Sequence, residues 1–449
     1  MKRKIMLLYT NVRLRNQKPR PPLGLMYIAA ALRPKYEPII LDMRVEDNYK
    51  KILLDNLEEC ILVGISTIIG EQLVFSLEVA NLVKRIDPKM PIVFGGTFPS
   101  MAPEIVLKEE SVDIVSIGDG EETILKIADA YKNNGEIIIN KSHNTRCLDT
   151  PKIPAWDLVD INNYREANVL STKGCSGGCT FCYNRIFNEG RLRVRKIENV
   201  WDEIQMLSRK YQVKHIAFVD DNFFANISHA IALMVKFRDS NLNLTWETTC
   251  RADDLANFSE EVLQLIHDSG CRELYVGFES ASDKVLEQIN KNIGVNQINE
   301  CMTRARKYKF CVRALFMIGS MGETKRELFQ TLKTVDVLQK KYYDCIKIPV
   351  FGIYTPYPKM PPDIEGYKEP KSRLEWSEYH HDRANQQWLS SKEKAYLENV
   401  IWVYRYYSKR SKFVSENSIV QRLLYIDASI RWKIRLFSLA PEWKHVRTN

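Results

Sequence analysis

The chain has 449 residues, 45% hydrophobic and 27% charged, with a formal net charge of +9. That composition fits an ordinary globular protein of two or three domains, and no apolar run reaches the ~18 residues of a transmembrane helix. The basic balance comes without zinc-finger spacing or an aromatic-basic ribonucleoprotein motif, so no nucleic acid is expected as a partner. The opening MKRKIMLLYTNVRLR has an apolar run that ends too early for a signal peptide and carries no small-residue cleavage site, so the expected compartment is the cytoplasm.

In chain order, residues 1–135 alternate strand-like and helix-like segments. KIMLLYT (4–10), EPIILD (37–42), CILVGIST (60–67), MPIVFGG (90–96) and VDIVSIG (112–118) are short and mostly apolar, as strands covered on both faces are. PPLGLMYIAAAL (21–32), QLVFSLEVANLVKRI (72–86) and EETILKIADAYK (121–132) carry helical character between them. The alternation predicts an α/β fold with a doubly wound parallel sheet, which binds ligands at the carboxyl ends of its strands. Those ends are Thr10 to Arg13, Ser66 to Gly70, Gly95 to Ser100 and Gly118 to Gly120. Residues 136–166 are polar, contain Pro151 and Pro154, and read as a connector.

A second series fills 167–355. ANVLSTKG, KHIAFVD, LTWETTCR, ELYVGFES, VRALFMIG and CIKIPVFGIYTP read as strands with amphipathic helices between them. These units suit a partial (β/α)6 barrel, whose chemistry belongs at the carboxyl ends of its strands. Residues 356–449 turn aromatic, helical and basic.

The sharpest signal is STKGCSGGCTFCYN. Cys175, Cys179 and Cys182 lie within eight residues, just after the first barrel strand. Thiolates are the usual ligands of iron–sulfur clusters. Three local cysteines leave one iron of a [4Fe–4S] cluster open, and Gly174, Gly177 and Gly178 let the backbone wrap an inorganic core. A structural zinc site would want a fourth ligand; His215 and Cys250 qualify by type but not by spacing. Cys60, Cys147, Cys250, Cys271, Cys301, Cys311 and Cys345 are scattered and read as small buried hydrophobes. The cysteines are too sparse for a disulfide scaffold.

The C-x3-C-x2-C spacing, with Phe181 before the last cysteine, resembles the signature of the radical S-adenosylmethionine (SAM) superfamily. That resemblance implies a [4Fe–4S] cluster on the three cysteines, SAM chelated to the open iron, and a 5′-deoxyadenosyl radical that takes hydrogen from substrate. It puts Phe181 near the adenine. FVDDNFF (218–224) resembles the segment that contacts the SAM ammonium, through Asp220 or Asp221; a solvated turn or helix cap is the alternative. GFES (277–280) offers Glu279 or Ser280 to SAM. MIGSMGET (317–324) resembles a glycine-rich segment with Gly319 and Glu323, where Glu323 and Thr324 could also cap the next helix. Arg251 and Arg313 are further candidates for SAM or substrate, with salt bridges as the alternative.

PPLGLMYIAAAL, GIST, FGGTFPSMAPE and GDGEET, in that order, resemble the cobalamin-binding domain of many radical SAM proteins. The implied cobalamin contacts are Thr10, Ser66, Thr67, Gly95, Gly96, Gly118 and Gly120. TNVRLRN holds no histidine where cobalt-ligating relatives carry Asp-x-His-x-x-Gly, and Phe98 replaces a histidine common in relatives. The combination implies methylation of an unactivated carbon through methylcobalamin, on a small-molecule or peptide-derived substrate, with flavodoxin or ferredoxin as electron donor. Oxidative cyclisation or ring rearrangement, as in anaerobic tetrapyrrole cyclases, is the alternative, and a non-catalytic iron–sulfur carrier or sensor is a remote one. His380 and His381 read as a surface pair. The final SIRWKIRLFSLAPEWKHV reads as a helix closing the barrel, with an anionic membrane as the alternative site.

Overall fold

The computed structural model describes residues 2–10, 18–132, 139–141, 148–149, 151–360, 367–379, 383–408 and 419–438. Cys147, His380, His381 and the TNVRLRN loop after Thr10 lie outside the described residues.

The amino-terminal apolar runs become β1 (Lys4–Tyr9), β2 (Glu37–Asp42), β3 (Cys60–Ser66), β4 (Ile92–Gly95) and β5 (Ile114–Ile117) of one parallel sheet, in the order β2-β1-β3-β4-β5-β6. Helices cover both faces, so alternate side chains enter different cores. Met6, Leu8, Val63 and Phe94 pack to one side, and Ile5, Leu7, Leu62 and Val93 to the other. The edge strand β6 (Ile139–Lys141) falls within the segment read as a connector. The short run IIIN (137–140) has polar residues on both sides, and one neighbour, β5, supplies the pairing of β6. The order in which strands are added reverses between β1 and β3, the geometry that opens a crevice at the carboxyl ends.

The second series forms β7 (Ala167–Val169), β10 (His215–Phe218), β11 (Thr245–Arg251), β12 (Cys271–Glu279), β13 (Cys311–Ile318) and β14 (Val350–Ile353). They pair in parallel in the order β14-β13-β12-β11-β10-β7, and the two edge strands do not pair with each other. The result is a curled partial barrel. In β13, Val312, Ala314, Phe316 and Ile318 are buried in the core under the helices, while Arg313, Leu315 and Met317 alternate toward the lumen. A short antiparallel ribbon of β8 (Thr172–Lys173) and β9 (Arg193–Val194) stands apart from the barrel sheet.

Helices Ser391–Ser408 and Ile419–Ile434 close the β14 edge: the Tyr404 ring lies 4.8 Å from Phe351 and the Trp432 ring 6.3 Å. The preceding helix, Arg373–Ser377, goes elsewhere. Its fully buried Trp376 packs edge-on to Phe98 at 5.9 Å, in the core of the amino-terminal sheet. Phe98, the departure from the histidine of relatives, is thus an anchor for the carboxyl-terminal region. Among the described residues, no helix is long and apolar enough to cross a membrane.

Candidate functional site

The cysteine loop begins where β8 ends, and the β8–β9 ribbon clamps its base. Gly174 has φ +89°, and a Cβ there would meet Arg191 O at 2.0 Å, so the turn admits only glycine. A Cβ at Gly178 would meet Asn290 Nδ2 at 2.7 Å, the nitrogen that donates to Gly178 O at 2.8 Å. Thr180 N–H donates to Ile289 O at 3.0 Å. The loop is therefore pinned to the segment after β12. Asp221 grips it from the other side, accepting from Gly174 N–H at 2.7 Å and from Tyr183 O–H at 2.8 Å.

The three thiols sit at partial or full burial. Gly177 N–H donates to Cys175 Sγ at 3.3 Å, and Arg251 Nη1 lies 3.8 Å from Cys179 Sγ. Burial pushes the Cys182 thiol up to about 11; iron would have to draw off that proton, as a coordinating metal does. Among the described residues, no three His, Cys, Asp or Glu side chains converge on one ion position. A polynuclear cluster takes one thiolate per iron, so three local cysteines match its donor set, whereas a structural zinc would want a fourth ligand. Of the scattered cysteines, Cys60, Cys250, Cys271, Cys301 and Cys345 are buried and Cys311 half-buried, none of them disulfide-bonded.

The SAM candidates separate into two groups. Phe181, Asp221, Glu279 and Arg251 come together around the loop. A bulge between Gly277 and Glu279 gives Glu279 a φ of +62° and aims its carboxylate at Lys291 Nζ, 2.9 Å away. That ammonium lies 5.8 Å from the Phe181 ring centroid, and Arg251 Nη2 donates to Lys291 O at 2.7 Å. The buried Lys291 has no motif to announce it; the only hint is its place after a strand-end acid.

The others turn inward. Asp220 accepts from Ser171 N–H at 2.7 Å and from the Ser171 hydroxyl. Burial raises its carboxyl to about 6 against those bonds, and the side chain is buried. Ser280 is fully buried and bonds Thr331 Oγ1 at 3.3 Å. Arg313 sits near the amino-terminal end of β13, paired with Glu273 at 2.7 Å and distant along the strand from the cysteine loop. Gly319, φ +77°, donates its N–H to Glu323 Oε2 at 2.6 Å. Thr324 and Glu327, not Glu323, form the capping box of helix Lys325–Lys341. Glu323 Oε1 is buried without a partner among the described residues, and burial lifts its carboxyl to about 7.

At the amino-terminal sheet, Ser66, Gly95, Gly96 and Gly118 are half-buried at neighbouring strand ends. Gly96 (φ +100°) leaves no room for a Cβ, which would meet Thr67 O at 2.6 Å. Gly118 has φ +83° and donates its N–H to Ser100 Oγ at 3.0 Å. Small residues on adjacent strand ends leave the backbone open to a broad flat group, so the crevice suits cobalamin. Of the remaining expectations, Thr10 is fully buried with its hydroxyl 2.8 Å from Ser76 Oγ, Thr67 is fully buried, and Gly120 is half-buried beside Ile28.

The two strand-end regions meet. Asp119, beside Gly118, forms ion pairs with Lys173 of β8 and Arg193 of β9. Burial disfavours its charge, but those cations hold its carboxyl below the usual range. The cobalamin-like crevice and the cysteine loop are thus fastened edge to edge.

Comparison with known proteins agrees with this arrangement. Residues 169–335 match the radical SAM superfamily, and residues 17–128 match the B12 binding domain. An uncharacterized methyltransferase of Pyrococcus horikoshii is 29% identical over 75% of this chain and 76% of its own length. The anaerobic magnesium-protoporphyrin IX monomethyl ester cyclase of a Synechocystis strain is 24% identical over 72% of this chain and 68% of its own. The radical SAM methyltransferase TsrM of Kitasatospora setae, solved with cobalamin and a [4Fe–4S] cluster bound, superposes with a TM-score of 0.67. That superposition covers 80% of this chain and 74% of TsrM at 17% identity, a likeness of fold.

Proposed function

We propose that this chain, a radical SAM enzyme with an amino-terminal B12-binding domain, methylates an unactivated carbon with the help of cobalamin. The observation that carries the reading is the Asp119 pairing with Lys173 and Arg193, which sets the glycine-rich crevice against the cysteine loop. The cofactors supply a radical able to remove hydrogen and a methyl group to replace it. The chain's own residues supply position. Cys175, Cys179 and Cys182 would hold the cluster, with Asp221 and Asn290 fixing the loop they stand on. Phe181, Glu279 and Lys291 would receive SAM beside it. Gly95, Gly96 and Gly118, with Ser66, would face cobalamin, and the crevice between the two sheets would receive a small-molecule or peptide-derived substrate. A flavodoxin- or ferredoxin-like donor would deliver the electron.

Anaerobic reconstitution with iron, sulfide and hydroxocobalamin, followed by reduction in the presence of SAM, tests the reading. Bound cobalamin, 5′-deoxyadenosine and S-adenosylhomocysteine are expected together, with a product heavier by one methyl. The cyclase relative supports a second reading, oxidative cyclisation without methyl transfer. A product that gains no methyl, formed without S-adenosylhomocysteine, would select it.

A further inference from the structure

Below the cysteine loop, the lumen of the barrel carries charges that neither cofactor site uses. Arg165, just before β7, places Nη2 3.0 Å from Tyr275 Oη on β12 and 3.6 Å from Glu247 on β11. Two strands, β10 and β11, separate β7 from β12, so this side chain spans the hollow of the curled sheet. Arg20 joins it, with Nη2 3.6 Å from Glu247 and its guanidinium 6.0 Å from the Tyr275 centroid. On the other side Arg313 stands 5.2 Å from that centroid, and Lys347 pairs with Glu273.

Arg20, Arg165, Arg313 and Lys347 face Glu166, Glu247 and Glu273, which leaves the cations in excess among the described residues. Burial opposes ionisation of Glu247, yet His215, Arg165 and Arg20 hold its carboxyl below the usual range. Glu247 is therefore held charged, Glu166 and Glu273 are already paired, and the spare capacity belongs to the arginines. Arg313 spends only Nε on Glu273; its two terminal nitrogens have no partner among the described residues, and its side chain is 28% exposed.

On the β13 and β14 side, the wall above this floor is apolar and roomy. Leu315 and Met317 follow Arg313 on the same face of β13, and a Cβ on Gly352 of β14 would meet nothing within 4 Å. At about 3.3 Å per residue, Met317 stands roughly 13 Å along the strand from Arg313, near the rim where Phe181 and Glu279 gather.

We propose that this floor seats the anionic end of the substrate, an organic carboxylate or phosphate ester whose apolar stem carries the reacting carbon up toward that rim. A guanidinium with two free nitrogens on one edge suits either head group. The inference rests on the methyltransferase reading and extends its substrate site from the crevice between the sheets down into this lumen, but its test needs no turnover.

The reconstituted holoenzyme is titrated anaerobically with octanoate, octyl phosphate and 1-octanol. At least one anion is expected to bind about tenfold or more tightly than the alcohol, and the tighter of the two identifies the head group. Arg313→Gln is expected to erase most of that preference, Arg313→Lys to retain it, and Lys347→Gln, a second variant at the same seat, to reduce it severalfold. Arg272→Gln, exposed on the outside of the barrel, is expected to leave it intact. Equal binding of the anions and the alcohol, or a preference that survives both Arg313→Gln and Lys347→Gln, would reduce the floor to a structural ion network. Either result is independent of whether a methylated product forms in the reconstitution experiment.

Discussion

The molecule has two six-stranded parallel sheets that use opposite means at the same place, the carboxyl ends of their strands. The amino-terminal sheet offers backbone: glycines at positive φ and small hydroxyl residues, with few charges in the crevice. The barrel offers charge: Asp221 gripping the cysteine loop, Glu279 against Lys291, Arg251 beside Cys179. The difference suits the proposed guests. A broad preformed ring system is held by shape and needs room, whereas an inorganic core and a zwitterion are held by ligation and by opposed charges.

The largest test of the contrast is chemical. Cys175→Ala, Cys179→Ala or Cys182→Ala should each lower 5′-deoxyadenosine formation by about a thousandfold or more, while cobalamin uptake by the other sheet, read from its absorbance, persists. Next comes Glu323, the acid under the fifth-strand turn. Its carboxyl is lifted by burial from 4.5 to about 7, so the neutral form favours the fold. Its stabilisation is complete below the ordinary value of 4.5 and is lost as pH rises to about 7, a decline of up to about 3 kcal/mol. Glu323→Gln should flatten that part of the stability–pH curve measured by denaturant unfolding; an unchanged slope would show that the acid is ionised in the fold.

Gly96→Ala probes the sheet that relies on shape. With φ +100° and Thr67 O 2.6 Å from the added carbon, it should cost about 2 kcal/mol of stability and weaken cobalamin binding while sparing cluster assembly. The smallest effect concerns the seam. A double-mutant cycle of Asp119→Asn and Lys173→Met should return a coupling of about 1 kcal/mol in unfolding free energy, and no coupling would mean that the two sheets are held together elsewhere.

Much of this was legible in the residues. The cysteine spacing, the glycines at strand ends and the alternation of apolar runs are local signals, and the elements they mark form where expected. What escaped reading depends on partners remote in sequence. Nothing local distinguishes Asp221, which bonds the loop, from Asp220, which is spent on Ser171. Lys291 gains its place only when the β12 bulge turns Glu279 toward it. For Arg313 the sequence leaves SAM or substrate contact and a salt bridge open, and only alternation and register place it low in the lumen, against Glu273. Thr10 answers to Ser76, a packing demand that no motif spells out.

The contact of Trp376 with Phe98 also bears on how the chain can be made. The ribosome releases the amino-terminal sheet first, but the whole barrel must be synthesised before the indole that completes its core appears. Until then Phe98 has one side bare, so the nascent sheet is a natural client for a chaperone. For the same reason a fragment cut at the end of helix Gly120–Lys132 would lack part of its own interior, and an isolated cobalamin module would be better expressed with residues 367–379 grafted back than without them.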